Sequence, residues 1–374
     1  MTHNKRFGCF ATALLLATAA LASIEPGRAE DIRFDALNIS VAGSGRAESV
    51  ELEAMVVRPD DRLPHPLVVL NHGSPRSADD RPTMTPYGLW AQAVAFARRG
   101  WVAVAFLRRG YGRSGGEWAE TYGSCSNPDY ATAGRAGASD IAAVAKFMMA
   151  EPYVGKDKWI SVGHSAGAFA TVALTADPPP GLAAAISFAP GRGSSGPDTV
   201  CGEKQLVAAF ADYGRTSRLP LLWVSAANDH FFGPRLVPRL TGAFSAAGGN
   251  LTYIKAPPFG SDGHQLFSAA NGVPVWSPIV DRFLMANHLV FRDHPMEIPV
   301  PSPPAGLSAN GRAAFKTYLD SGPNKAFAAA GNQRFGWATG RRTLDEARQI
   351  ALGYCVSGTS AKCSIVNVNN KPAE

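Results

Sequence analysis

Short, almost wholly apolar segments recur along this chain, and each stops at a loop. They are PLVVLNHG (66–73), WVAVAFLRRG (101–110), KWISVGHSAG (158–167), GLAAAISFAPG (181–191) and LPLLWVSAAND (219–229). LTYIKA (251–256) reads as a further strand, and residues 32–59 alternate in strand fashion, as in SVELEAMVV. Between these runs lie helical stretches. One carries Trp90, Ala93, Val94, Phe96 and Ala97; another is ASDIAAVAKFMMA (138–150), with Ser139 or Asp140 as its cap. Others run from Ala166 toward Thr175, around residues 236–247, and through Val280, Phe283, Leu284 and His288. A strand that is apolar at every position is buried on both faces, so the expected fold class is α/β, a mostly parallel central sheet with helices on both faces. Such sheets bind ligands at the carboxyl ends of their strands. The layout predicts one rim where NHGSP, RRGYGRSGG, GHSAG, AAND and the segment around His264 converge.

Two pentapeptides fit the pattern Gly-x-Ser-x-Gly: GHSAG (163–167) and GRSGG (112–116). A nucleophilic serine of this type stands on a sharp turn between a strand and a helix. Its glycines let those elements approach closely, and the following N–H points at the reacting carbonyl. Ser165 has that setting, with WISV leading in and AGAFATVALTA leading out. Ser114 does not: RRGYGR separates it from its strand, and GGEWAETYGSCSNP opens no apolar helix. Ser165 is therefore the candidate nucleophile, and Ser114 is read as a wall residue of the pocket.

A serine hydroxyl needs a base to take its proton. In this arrangement the order along the chain is serine, acid, histidine. His230 adjoins the acid, His288 falls in an apolar helix and His294 sits beside a proline-rich stretch; His264 lies in the polar loop PPFGSDGHQLF directly after a strand. His264 is the candidate base. Asp229 ends the strand LPLLWVSAAN and is the candidate acid, with Asp262 its competitor two residues from His264 and Asp198 and Asp212 in a connecting region. The candidate oxyanion donors are the amides of Ser74, in NHGSP, and of Ala166. His72 precedes the nucleophile and is read as a packed loop histidine.

The ends of the chain carry other information. Lys5 and Arg6 precede the apolar run FATALLLATAALA (10–22), and small residues follow at Ala20-Leu21-Ala22 and Gly27-Arg28-Ala29. The run falls short of the roughly 18 residues a membrane span needs. This is the pattern of a secretory signal peptide, with cleavage expected after Ala29 and no later segment able to span a membrane. Removing residues 1–29 takes three basic residues and one acidic residue from a formal charge of +6, leaving +4 (6 − 3 + 1). The remaining basic residues are scattered in pairs, and no basic segment interleaved with aromatics suggests nucleic acid. Cys9 leaves with the signal. Cys125, Cys201, Cys355 and Cys363 remain, an even number that suggests two disulfides in an oxidising compartment, with three pairings open. Their spacing does not suit zinc, and no metal or organic cofactor is expected. Residues 294–308 are proline-rich and read as a linker or extended wrap. Beyond them KAFAAA (325–330) and RFGWATG (334–340) look like paired strands, TLDEARQIALGYC (343–355) like a helix with a Thr343–Glu346 capping box, and SIVNVNN (364–370) like a last strand. The expected organisation is a signal peptide (1–29), a main domain (30–293), a linker (294–308) and a small α+β module (309–374).

Together, NHGSP, RRGYGRSGG, GHSAG, SAANDHFF and FGSDGHQLF, in that order over about residues 45–292, resemble the α/β-hydrolases of the dienelactone hydrolase and prolyl-oligopeptidase-like branch. The resemblance implies two-step acyl transfer at a carboxylic ester, without cofactor, in which His264 deprotonates Ser165. Dienelactone hydrolases proper carry a cysteine where this chain has Ser165, and the peptidases carry a propeller for which this chain has no room. The implied activity is therefore that of a periplasmic or secreted serine esterase acting on a small-molecule ester, with a peptidase or amidase of the same mechanism as the alternative. The tail is similar to small modules of exported bacterial proteins, and an envelope partner for it is the third reading. Two loops leave the expected rim, residues 118–129 with Cys125 and 191–219 with Cys201. Their cysteines are expected to pair and tie a short lid, while Cys355 and Cys363 close the tail. Trp118, Tyr122 and Tyr130, with Tyr111 of the RGYGRSGG loop, are the candidate substrate-binding residues.

Overall fold

In the computed structural model of the chain the apolar runs become strands of one eight-stranded sheet. The structure describes Met1 and residues 32–43, 49–292, 294–331, 333–357 and 362–373. Met1 apart, the signal-peptide reading of residues 1–29, with Cys9, lies outside the described residues. β1 (Ile32–Ala42) and β2 (Ser49–Pro59) come first, then β3 (His65–Asn71), β4 (Val102–Phe106), β5 (Val154–His164) and β6 (Leu182–Phe188). A small hairpin of β7 (Ser194–Gly196) and β8 (Thr199–Val200) stands apart, and β9 (Leu221–Ala226) and β10 (Leu251–Ala256) complete the sheet. The spatial order is β1-β2-β4-β3-β5-β6-β9-β10. β2 runs antiparallel to both of its neighbours, and every pairing from β4 to β10 is parallel.

The central strands are apolar throughout because each serves two cores. Leu67 and Val69 of β3 join one core, with α2 (Tyr130–Met148), α3 (Ala166–Ala176), α4 (Glu203–Gly214) and α5 (Val237–Ala246). Val68 and Leu70 join the other, with α1 (Trp90–Ala97) and α6 (Val273–Ala286). Each fully buried valine or leucine contributes roughly 1.5–3 kcal/mol, so the two cores rather than helix propensity hold the layers. None of the described helices is long and apolar enough to cross a membrane.

Three local expectations are corrected. α2 begins eight residues earlier than the text around Ser139 suggested, capped by Asp129, whose carboxylate accepts the Thr132 N–H at 3.0 Å. Two glycines in its first turns serve close packing. A Cβ at Gly134 would lie 2.9 Å from the Phe169 ring, and one at Gly137 2.8 Å from Ala170 Cβ. Asp140 is therefore inside the helix, where it accepts the Arg109 N–H at 3.0 Å and pairs with Arg109 Nε at 2.7 Å. His288 follows the end of α6 in a left-handed conformation, φ +55°.

Residues 294–308 carry no helix or strand, yet they are tied down: Arg98 and Met296 exchange hydrogen bonds, Met296 N–H to Arg98 O at 2.7 Å and Arg98 Nε to Met296 O at 2.6 Å. α7 (Ala309–Asp320) follows, then β11 (Ala326–Ala330), β12 (Arg334–Ala338), α8 (Leu344–Val356), β13 (Ser364–Val368) and β14 (Lys371–Pro372). These strands form an antiparallel sheet in the order β12-β11-β13-β14. Ala326 and Ala328 pack on Ala347, Ala351 and Cys355 of α8, and Phe327 packs on Phe315 and Tyr318 of α7. α7 is not among the elements expected from the text. Ser308 caps the helix by accepting the Gly311 N–H at 3.1 Å. At the other end of α7, Lys325 Nζ donates to the carbonyls of Tyr318, Leu319 and Ser321 at 2.7, 2.7 and 2.8 Å. The capping box of α8 is shifted: Thr343 accepts the Glu346 N–H at 3.2 Å, while the Glu346 carboxylate accepts from Arg342 N–H at 3.3 Å.

Candidate active site

Ser165 stands between β5 and α3 with φ +55° and ψ −120°, a conformation that costs a serine free energy and is held by its surroundings. Its flanking glycines have no alternative. A Cβ at Gly163 would lie 2.4 Å from Gly167 O, and one at Gly167 would lie 2.4 Å from both Asn71 O and His72 O. The Ser165 carbonyl accepts the Phe169 N–H at 2.9 Å and so opens α3. That leaves the Ala166 N–H at the positive end of the helix dipole.

His264 sits in a single 3-10 turn, Gly263–Leu266. Asp262 accepts the N–H groups of His264 and His230, each at 3.0 Å, and so joins this turn to the loop after β9. Asp229, on that loop, presents both carboxylate oxygens to His264 Nδ1 at 3.2 Å. Its Oδ1 also accepts the N–H groups of Phe231 and Phe232 at 2.7 and 3.0 Å. With Nδ1 donating to Asp229, Nε2 is free to accept a proton. Ser165, Asp229 and His264 are 6, 1 and 3% exposed, so little water reaches any of them. Among the described residues Ser165 Oγ makes no protein hydrogen bond.

The other carboxylates and histidines are committed elsewhere. Asp198 faces the His230 ring at 3.1 Å, and Asp212 pairs with Arg135. His72 Nδ1 donates to Gly73 O at 2.6 Å and its Nε2 accepts the Arg108 N–H at 3.1 Å. Burial, reinforced by the Arg108 charge, lowers its pKa to about 3. It is a neutral strut that shapes the turn leading to Ser74. His164, within GHSAG, donates from Nε2 to His264 O at 2.8 Å, and burial with the neighbouring His264 lowers its pKa to about 3.

A cleft opens over Ser165 in two lobes that share Ser74, Pro75, Arg76 and Phe231. The smaller, of about 160 Å³, is bounded by Arg81, Trp118, Tyr122 and Arg192. The larger, of about 370 Å³, runs between His264 and a segment that includes Met84, Pro86 and Leu89. Cys125 and Cys201 are joined, which ties the loop carrying Trp118 and Tyr122 to the β7–β8 hairpin over the smaller lobe. Cys355 and Cys363 are joined in the tail.

Three residues differ from their expected places: Tyr130, at the start of α2, is buried, lines neither lobe and donates from its hydroxyl to Cys201 O, and Tyr111 and Ser114 are the others. Tyr111 is fully buried and lines neither lobe. It stands behind the wall, donating to Ser74 Oγ at 3.0 Å and accepting from Trp118 Nε1 at 3.1 Å. Ser114 is not a wall residue either: its hydroxyl donates to Leu107 O at 2.6 Å and accepts the Glu53 N–H at 3.0 Å, which ties the glycine loop to β2.

The structure adds side chains that sequence reasoning did not single out. Glu120 lies between the guanidiniums of Arg108 and Arg192, the three being 2, 0 and 5% exposed. Burial alone would raise the Glu120 pKa, but the two guanidiniums outweigh it and hold it at about 2. Phe231 lies between the Arg76 guanidinium, 3.6 Å from its ring centre, and the His264 ring. Arg76 is steadied by Ser194 Oγ of the lid hairpin, at 2.9 and 3.2 Å. The one hint in the text is the pair of aromatics directly after Asp229-His230.

Residues 48–230, spanning β2 to the loop after β9, match the family model of X-Pro dipeptidyl-peptidase (S15 family). The match covers just under half of the chain, and the chain itself has an α/β fold with a mostly parallel central sheet. No curated protein matches the sequence significantly. Among solved structures, the esterase Pf2001 of Pyrococcus furiosus is similar at 15% identity, over 68% of this chain and 93% of that one, with a TM-score of 0.45. Thermogutta terrifontis esterase 2 is similar at 18% identity, over 71% and 96%, with a TM-score of 0.46. The acylaminoacyl peptidase of Pyrococcus horikoshii is similar at 16% identity, over 70% of this chain and 43% of that one, with a TM-score of 0.48. Likenesses this loose carry nothing about substrate.

Proposed function

We propose that this chain is an exported serine hydrolase that cleaves carboxylic esters through an acyl-enzyme intermediate. The observation that carries the reading is one lobe lined both by Ser165, on its strained turn, and by a buried His264 whose Nδ1 faces both oxygens of Asp229. In the first step His264 Nε2 takes the Ser165 proton as Oγ attacks the ester carbonyl. The Ser165–His264 hydrogen bond forms as substrate binds. The amides of Ser74 and Ala166 hold the oxyanion, and each such donor is worth roughly 10²–10³ in rate. The imidazolium, steadied by Asp229, then gives its proton to the departing alcohol oxygen. In the second step a water, activated by the same histidine, releases the acid and restores Ser165.

Charge in the smaller lobe favours an ester over an amino-terminal dipeptide. Release of such a dipeptide calls for a subsite that accepts the terminal ammonium. No carboxylate lines the smaller lobe. Among the described residues neither Arg76 nor Arg81 has a carboxylate partner, and Glu120 offsets only one of the two guanidiniums it touches. The one carboxylate lining the larger lobe is the exposed Asp80. The two disulfides and the signal-like start of the sequence support a periplasmic or secreted location.

The test is a fluorophosphonate adduct mapped by peptide mass, with hydrolysis of p-nitrophenyl esters by the wild type and by Ser165→Ala. The adduct is expected on Ser165, and hydrolysis is expected to vanish in the variant. Full activity in Ser165→Ala would overturn the assignment.

A further inference from the structure

The larger lobe owes one wall to residues 78–89, which hold only two 3-10 turns, Ala78–Thr83 and Pro86–Leu89. A segment without helix or strand has few backbone bonds of its own, so its position depends on outside contacts. Gly112 N–H reaches Arg81 O at 2.9 Å from the neighbouring glycine loop. Arg81 also lies over the Trp118 ring at 3.9 Å, and two further hydrogen bonds come from the far end of the chain. Arg342, between β12 and α8, donates from Nη2 to Met84 O at 3.0 Å. The same guanidinium grips Glu53 of β2 with both nitrogens, Nε to Oε1 at 3.1 Å and Nη2 to Oε2 at 3.4 Å. Glu53 in turn accepts the Arg113 N–H at 3.0 Å. Asn324 donates to Tyr87 Oη at 3.4 Å and to Arg342 O at 3.1 Å, joining the two anchor points within the module.

We infer that the C-terminal module sets the wall of the Ser165 cleft, with Arg342 as the positioning residue for residues 84–89. The inference rests on Ser165 being the nucleophile. A two-nitrogen grip on a partly buried carboxylate fixes the plane of the guanidinium, and the remaining donor capacity then fixes one carbonyl of the wall. Arg342 touches no reacting atom. It acts through Met84 and, by way of Asn324, through Tyr87. The module is thus part of the enzyme's pocket rather than a passenger behind a linker, and the shape of acceptable substrates depends on it.

The test uses the full chain as wild type, Arg342→Ala and Arg342→Lys. Two readouts are taken: hydrogen exchange of residues 78–89 by mass spectrometry, and KM and kcat for two ester series, one of increasing acyl length and one of increasing alcohol size. In Arg342→Ala, exchange is expected to rise in residues 78–89 while β5, α3 and β9 stay protected. KM is expected to rise roughly fivefold or more for the larger members of one series, with kcat on the smallest member changing far less. Arg342→Lys, which keeps the charge but loses the fork, is expected to recover part of both effects. Unchanged exchange in residues 78–89 overturns the inference. So does a uniform loss across all ester sizes that Lys does not relieve, the mark of a fold weakened in general. A wild type inert toward every ester, with exchange still rising in the variant, overturns the ester reading and supports the clamp.

Discussion

The ring of Phe231 lies flat on the ring of His264, their centres 3.8 Å apart and their planes 9° from parallel. The stack holds the imidazole in the plane in which Nδ1 meets Asp229, and it shields that face from water. Phe231→Ala should therefore slow hydrolysis mainly through kcat, by about two- to tenfold for the loss of one aromatic contact. Steady-state kinetics on a p-nitrophenyl ester would show it. An unchanged kcat would mean that Asp229 alone aligns the ring.

Asp229→Asn keeps the size of the side chain but removes the charge that steadies the imidazolium. A drop in kcat of roughly 10³–10⁴ is expected, with fluorophosphonate labelling of Ser165 slowed in parallel. If Asp262→Asn proved the more damaging change, the orienting acid would have to be reassigned. Among the described residues the Asp262 carboxylate accepts only the backbone N–H groups of His230 and His264, so its loss should act through the loop and not through protonation.

Arg76 and Arg81 of the smaller lobe, without a carboxylate partner among the described residues, predict discrimination by charge. Given the same Xaa-Pro ester with a free or an acetylated amino terminus, the enzyme should favour the acetylated form, by about fivefold at low salt. Arg81→Gln should narrow the ratio, and added salt should narrow it further. Preference for the free amino terminus would favour the dipeptidyl-peptidase alternative.

Glu120 predicts a pH dependence of stability. Its folded pKa of about 2 lies below its ordinary value of 4.5, so its stabilising contribution is complete above about pH 4.5 and is lost as pH falls toward 2. The contribution amounts to about 3 kcal/mol. Denaturant titrations between pH 5 and 2 should show this slope in the wild type and a flatter one in Glu120→Gln. Glu120→Ala, which leaves two buried guanidiniums uncompensated, should cost about 3–5 kcal/mol at neutral pH.

The bond between Cys125 and Cys201 closes a long loop, the two residues being 76 apart in sequence. Replacing both by serine should lower stability by about 4 kcal/mol on the chain-entropy account. Because the bond also holds the Trp118 loop against the hairpin that steadies Arg76, KM should rise as well. Urea unfolding and ester kinetics on the double variant would separate the two effects.

Much of the frame was legible because its signals are local. Leu67 to Leu70 are apolar at every position because the strand is buried on both sides, and Gly163 and Gly167 mark a turn that admits no Cβ. Ser165, Asp229 and His264 follow β5, β9 and β10, so the order of strands and loops in the text already put them on one rim. The rest depends on contacts between distant segments. Arg108, Arg192 and Glu120 look like surface charges in the text, and only the fold shows them buried together. The start of α2 was hidden because Gly134 and Gly137 mark loops far more often than close helix packing. Tyr111 and Ser114 sit in a loop correctly placed on the rim, but nothing in RGYGRSGG says which side chains face the cleft and which face the sheet.

The grip of Arg342 on Met84 spans 258 residues of chain. Contacts of such span close late in folding, and during synthesis the earlier segments fold first. A chain still lacking residues 309–374 has every strand of its main sheet while the Met84 wall lacks the ties from Arg342 and Asn324. Emergence of the module, and not the coming together of the three side chains, is then the event that completes the pocket.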